Sequence, residues 1–219
     1  MVSVVIPCYI KNDKLFGLTM RCISAARYKT NIPFKTIIVE TTTNYLSDEA
    51  DIHVYEKERT NATKSINRGF RCTDSQYVVL LTNDVIVGDG WLEALLKPFE
   101  VKPDCGASTL ASTQFNHRKH DKIEEGIWGS VFMVRKQDAW FDEGFVNSWD
   151  DSDMWMRIYS QGLRMYRNFN CVVEHEPGQT HYGDPNHQRN FDKNRDYFVD
   201  KWKDCGLELY NVLTQGLVV

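Results

Sequence analysis

The stretch Tyr77-Val78-Val79-Leu80-Leu81-Thr82-Asn83-Asp84 joins an unbroken apolar run to a polar turn that ends in a carboxylate. A run with no alternation suits a strand covered on both faces, as in a parallel sheet between helices. We read Tyr77 to Leu81 as the central strand. A carboxylate just past the C-terminal end of such a strand lies where open α/β sheets bind ligands. Asn83 and Asp84 also favour turns with no ligand involved, so the segment alone leaves both readings open.

Working outward, the first half alternates short β-branched runs with amphipathic segments, the pattern of a largely parallel sheet with helices on its faces. Val2 to Ile6 forms the first buried strand. Asp13 is placed to cap a helix carrying Leu15, Leu18, Cys22 and Ala26 on one face. Thr36 to Val39 and Ile52 to Tyr55 read as strands, Thr60 to Arg71 as a helix. Gly88-Asp89-Gly90 opens a helix that turns Trp91, Leu92, Leu95 and Leu96 inward.

The pattern changes after Pro103. Cys105 to Leu110 and Ser130 to Val134 read as strands on either side of a polar loop, Ser112 to Glu125. A helix from about Asp150 to Gln161 stops at Gly162, a natural residue to end it. Leu163 to Tyr166 and Cys171 to Val173 read as two short strands. A loop with Pro177, Gly178, Gly183 and Pro185 then precedes a last helix from about Phe191 to Cys205.

A chain of 219 residues, 42% hydrophobic and 12% aromatic, has ample material for a core. The formal charge of −4 argues against a general polyanion binder. The basic runs Asn116 to His120 and Gln188 to Arg195 are diluted by Asp121, Glu124, Asp192 and Asp196. Six cysteines form no CxxC pair, and reduced thiols are expected. The opening residues lack the basic segment and cleavage site of an export signal, and no apolar run is long enough to span a bilayer. A cytoplasmic protein is the expectation.

Two further features carry chemistry. Phe141-Asp142-Glu143-Gly144-Phe145 is followed closely by Trp149-Asp150-Asp151-Ser152-Asp153, three carboxylates in the first turn of a helix. Carboxylates there also complement the helix dipole, which accounts for some of them. Helical spacing puts Asp150, Asp153 and Arg157 on one face and points Asp151 elsewhere. His175 ends the run from Cys171 at a strand end, with His181 as the competing candidate in the loop beyond.

In order along the chain, these segments resemble the family-2 inverting glycosyltransferases of the GT-A fold. The likeness spans roughly Val2 to Tyr182. It is carried by VSVVIPCY, by Thr60-Asn61-Ala62 through Asn67-Arg68-Gly69, and by Leu81-Thr82-Asn83-Asp84 with Gly90-Trp91-Leu92. The Phe-Asp-Glu turn, the DDSD cluster with Arg157, Gly162 and His175 complete the series. The resemblance implies a single α/β domain over residues 1–219. Its first half, to about residue 100, would be Rossmann-like and bind the nucleotide sugar; the mixed remainder would meet the acceptor. It further implies that Pro7, Tyr9 and Glu40 line a nucleotide base pocket, with Asn61, Lys64 and Asn83 also on the donor. Asp84 would bind a divalent cation, Mn or Mg, with His175 as second ligand. Asp151 would be the general base, flanked by Asp150. A UDP-sugar is the favoured donor. A saccharide is the favoured acceptor, with a protein or a modified nucleobase as alternatives.

Two positions depart from the family pattern. Glu40-Thr41-Thr42-Thr43 stands where an acidic pair is usual, so base recognition would use Glu40 and threonine hydroxyls. Thr82 stands where the metal motif often has its first acid. A non-catalytic nucleotide-sugar or glycan binder is the other class consistent with such thinned acidic motifs. A sugar nucleotidyltransferase would carry a Gly-rich loop after the first strand, and a dinucleotide oxidoreductase a GxGxxG. Pro7-Cys8-Tyr9-Ile10 carries neither.

Overall fold

The computed structural model describes residues 1–127, 129, 131–176 and 186–214. Four parallel strands form one half of the sheet: β1 (Val2–Tyr9), β2 (Phe34–Thr41), β3 (Ile52–Glu56) and β4 (Tyr77–Leu81). They are followed by β5 (Val85–Ile86), β6 (Cys105–Ser112), β7 (Ile123–Glu125), β8 (Val131–Arg135) and β9 (Arg164–His175). The strand order is β3-β2-β1-β4-β8-β6-β9-β5, with β7 on β9. The chain therefore winds outward from β1 to β3 and restarts on the other side of β1 with β4. That reversal opens a crevice at the strand ends, the place where doubly wound sheets take ligands.

The continuous apolar strands are explained by two cores, one on each face. Val4, Ile6 and Cys8 point toward α1 (Asp13–Tyr28) and α3 (Trp91–Val101). Val5, Ile37 and Val39 face the side covered by α2 (Ala62–Arg71), α4 (Asp150–Ser160), α5 (His187–Trp202) and α6 (Glu208–Thr214). Helix α2 lies directly on the strands because of Gly69. A Cβ there would stand 2.4 Å from Val5 Cγ1 and 2.9 Å from Val39 Cγ2.

Several sequence expectations are corrected. Asn12, not Asp13, caps α1, its side chain accepting from Leu15 N–H at 2.9 Å. Where two short strands were expected there is one long strand, Arg164–His175, because β9 stays paired with β6 through a register shift between Leu110 and Ala111. The polar loop from Ser112 contains a 3₁₀ turn, Thr113–Phe115, and the short strand β7. The last long helix starts earlier and ends earlier than its periodicity suggests, and α6 follows it. All six cysteines carry free thiols. No helix among the described residues is long and apolar enough to cross a membrane.

Candidate active site

A cleft of about 330 Å³ opens at the crevice. Pro7, Cys8 and Tyr9 from the end of β1 and Thr41 from the end of β2 form one wall, joined by Arg59, Thr60, Ala62 and Ser65 around the start of α2. Thr82, Asn83 and Asp84 beyond β4, with His175 at the end of β9, form the other. The Arg59 guanidinium stands 4.6 Å from the centre of the Tyr9 ring, a cation–π contact inside the cleft.

The short strand β5 decides the geometry of the far wall. Val85 pairs with His175 in its register with β9, and Glu176 N–H donates to Asp84 O at 3.2 Å. This places His175 Nε2 3.5 Å from Asp84 Oδ1. The other ring nitrogen, Nδ1, is 2.6 Å from Gln114 Oε1, and because an amide oxygen only accepts, Nδ1 carries the hydrogen. Asn83 is spent on the scaffold, its amide donating to Thr19 Oγ1 on α1 at 2.8 Å.

Asp84 Oδ1 is buried and, among the described residues, has no hydrogen-bond partner. A carboxylate oxygen left bare in a cleft, beside an imidazole nitrogen, matches the donor chemistry a divalent cation requires. Among the described residues no third His, Cys, Asp or Glu completes a cage. The described residues would thus supply two ligands, Asp84 and His175. His181 lies outside the described residues.

The acidic cluster stands beyond this cleft, at the start of α4. Asp150 Oδ2 accepts from Thr63 Oγ1 in the first turn of α2 at 3.1 Å. Asp151 Oδ1 accepts from Ser152 N–H at 2.7 Å. Neither lines the cleft, but Asn147 does, and its Oδ1 accepts from Ala62 N–H at 2.7 Å. Burial, and after it the charge of Asp151, pushes the Asp150 carboxyl up to about 6, and burial raises Asp151 as well. Of the face expected to carry Asp150, Asp153 and Arg157, the last two meet each other, while Asp150 meets α2. Asp153 is fully buried and turned toward α5, meeting Lys201 Nζ at 2.7 Å, Trp202 Nε1 at 2.9 Å and Arg157 Nε at 3.3 Å.

The Phe-Asp-Glu turn is structural. Asn67 holds it by accepting from Phe141 N–H and donating to Phe141 O, both at 2.8 Å, so two separated sequence motifs meet here. Asp142 accepts from Lys201 Nζ at 2.7 Å and Tyr197 Oη at 3.0 Å.

Three expected donor-site residues are not on the cleft wall. Glu40 is completely buried and turned into the 43–46 loop, accepting from Thr43 Oγ1 at 2.7 Å and from the Tyr45 and Leu46 N–H groups, with His53 Nε2 at 2.9 Å. Asn61 caps α2 by accepting from Lys64 N–H at 2.8 Å, and Lys64 itself is exposed. Pro7, Tyr9, Asn83, Asp84 and His175 are on the wall. Arg59, Ser65 and Asn147 were missed. The basic Lys57-Glu58-Arg59 run after β3 was the available signal for Arg59, whereas Ser65 and Asn147 had none.

The profile of glycosyl transferase family 2 matches residues 3–163. No curated protein matches the chain in sequence. Among solved structures it superposes on the mannosyltransferase PcManGT from Pyrobaculum calidifontis, in complex with GDP-Man and Mn²⁺, with a TM-score of 0.61 and 15% identity, over 83% of this chain and 58% of that one. For GalNAc-T7 with UDP, GalNAc and Mn²⁺ the TM-score is 0.72 at 11% identity, over 98% of this chain and 49% of that one. For TarS 1–349 of S. aureus in complex with UDP-GlcNAc the values are 0.68 and 12%, over 96% and 68%. The chain therefore spans only about half the length of some structures it resembles. With the cleft at the sheet's reversal and most of the length matched by one profile, the chain belongs to glycosyl transferase family 2 and has the GT-A fold.

Proposed function

We propose that this chain transfers a sugar, with inversion, from a nucleotide-diphosphate sugar to an acceptor hydroxyl, and that Asp84 and His175 hold a divalent cation, Mn²⁺ or Mg²⁺. The single observation that carries this reading is the bare Asp84 Oδ1 facing His175 Nε2 at 3.5 Å. A cation held by this pair would neutralise charge on the departing nucleoside diphosphate. Tyr9 offers a ring face for the base, and Pro7 bounds the pocket. We take the first half, to about residue 100, as the donor half and the remainder as the acceptor half, with His175 reaching the donor site from the second.

Asp151 is the proposed general base. A sugar hydroxyl is a weak nucleophile until its proton is being removed, and a raised carboxyl accepts that proton better than an ordinary one. Asp150 is its adjunct: two adjacent carboxylates resist double ionisation, so each makes the other more basic. The donor is proposed to be a UDP-sugar, in line with UDP and UDP-GlcNAc in two of the structural relatives and against GDP-Man in a third. A saccharide is the proposed acceptor.

The deciding experiment is a thermal-shift series with nucleoside diphosphates, with and without Mn²⁺, followed by UDP-sugar hydrolysis. A ligand at a hundred times its Kd adds about 2.7 kcal/mol of stability, which is readily measured. Stabilisation that needs Mn²⁺ supports the reading. Stabilisation with no turnover in any acceptor screen points to a binder, and no response to any nucleoside diphosphate removes the proposal.

A further inference from the structure

One wall of the cleft is built from hydroxyl groups around a single carboxylate. Glu56, the last residue of β3, is buried. Its Oε2 receives Ser65 Oγ at 2.6 Å, Thr41 Oγ1 at 2.8 Å and Thr60 Oγ1 at 3.3 Å, while Oε1 pairs with Arg68. Thr60 Oγ1 and Ser65 Oγ are 2.9 Å apart. All three hydroxyl residues line the cleft on the side of Pro7 and Tyr9.

The hydrogens on this wall can be counted. Burial alone would raise the Glu56 carboxyl, but the bonds from Ser65 and Thr41 and the Arg68 guanidinium outweigh it and hold it below its usual range. Glu56 is therefore ionised and accepts only. Each hydroxyl owns one hydrogen. Thr41 and Ser65 must each donate theirs to Glu56. The one hydrogen of Thr60 has three acceptors on the wall, Ser65 Oγ at 2.9 Å, Glu56 Oε2 at 3.3 Å and Asn61 O at 3.4 Å, and is taken up among them. No hydroxyl hydrogen is left to point into the cleft, and what these oxygens offer a ligand is lone pairs alone.

We infer that the Thr41, Thr60 and Ser65 oxygens, polarised by Glu56, form an acceptor-only surface that selects a nucleobase with a ring N–H on its pairing edge. Uracil and guanine present such a hydrogen. The corresponding ring nitrogen of cytosine and adenine is itself a bare acceptor and would face lone pair against lone pair, a repulsive element that discriminates as strongly as an attractive one. The inference rests on the cleft being the donor site proposed above, and it replaces the carboxylate reading of Glu40 with hydroxyls directed from β3.

Calorimetric titration of the intact chain with UDP, GDP, CDP and ADP in Mn²⁺ tests this. UDP or GDP should bind at least about tenfold more tightly than CDP and ADP, the range of one well-made or missing hydrogen bond. Thr41→Val and Ser65→Ala should each weaken the favoured nucleotide several-fold while leaving CDP affinity near its starting value. Glu56→Gln, whose amide donates and so frees a hydroxyl hydrogen for the cleft, should narrow the ratio. Circular dichroism establishes that this variant folds, and the two hydroxyl variants stand without it. Equal affinity for all four diphosphates overturns the inference while the donor site stands, as expected if the wall meets only ribose. Binding of none overturns both.

Discussion

Replacing Asp150 with Asn should make this protein more stable at neutral pH, and by an amount that depends on pH. Burial and then the Asp151 charge hold the Asp150 carboxyl at about 6 instead of its ordinary 3.8. A raised folded-state value means that the fold favours the protonated carboxyl. The associated stability is fully present below 3.8, is lost as pH rises toward 6, and stays lost above it. At about 1.4 kcal/mol per tenfold in proton affinity, the interval is worth of the order of 3 kcal/mol. Asn carries no charge at any of these pH values, and its Oδ1 can still accept from Thr63.

Urea melts of both proteins at pH 4.5, 6 and 8 measure the effect. The Asn variant should gain little at pH 4.5 and most at pH 8, where the midpoint of a thermal melt should rise by several degrees. The neighbouring Asp153 supplies the opposite sign. It is fully buried and paired with Lys201, Arg157 and Trp202, and Asp153→Asn removes the carboxylate that Arg157 and Lys201 share, leaving Lys201 with Asp142 alone. Breaking such a pair costs about 3–5 kcal/mol. A gain for Asp150→Asn that does not grow with pH, or a loss at pH 8, would refute the argument that the two carboxylates repel in a protein-walled site.

The remaining predictions concern the site and its platform. Asp84→Asn should abolish Mn²⁺ binding, read by calorimetry or by the free-ion Mn²⁺ resonance, and His175→Ala should weaken it less; unchanged Mn²⁺ affinity in Asp84→Asn would mean that the cation site lies elsewhere. Asp151→Asn should lower turnover by about 10²–10⁴-fold with donor affinity unchanged; normal turnover there with a dead Asp150→Asn would transfer the base to Asp150. Gly69→Ala should destabilise by about 1–3 kcal/mol, since the added methyl meets Val5 and Val39 side chains in the core; a neutral denaturation midpoint would show that α2 can lift off the sheet.

What was legible in the sequence is what depends on local pattern. The buried strands Val2 to Ile6 and Tyr77 to Leu81 could be seen because both faces are covered and Ser3 alone breaks the run in the first of them. The position of Asp84 at a strand end followed from that. The roles of Glu40, Asn61 and Lys64 did not, because a side chain at the right place along the chain still has two directions to take. Glu40 turned toward backbone N–H groups of its own following loop, and Asn61 toward the bare N–H groups of the helix it starts. Pairing of Val85 with His175 was equally hidden. A two-residue strand has no periodicity to detect, yet it brings His175 and Asp84 together.

The acidic cluster depends on a strained stretch that local preference would not choose. Asn147 and Trp149 take φ of 59° and 65°, a left-handed conformation that asparagine tolerates and a bulky side chain such as Trp149 avoids. What over-determines it is α5. Asn194 donates to Val146 O at 2.8 Å and Ser148 O at 3.0 Å while accepting from Val146 N–H at 3.2 Å. The Trp149 ring packs on Phe198 and Phe191 with centroids 5.0 and 5.7 Å away. Through this stretch, Asn147 reaches the start of α2 on the cleft wall, and the first two residues of α4 are Asp150, which accepts from Thr63, and its neighbour Asp151. The helix that contributes no residue to the cleft thereby fixes how the carboxylates stand relative to α2. That arrangement explains why a long polar-faced helix follows the acidic motif: without α5, the turn that aims the carboxylates would relax to an ordinary conformation and the pair would lose its position.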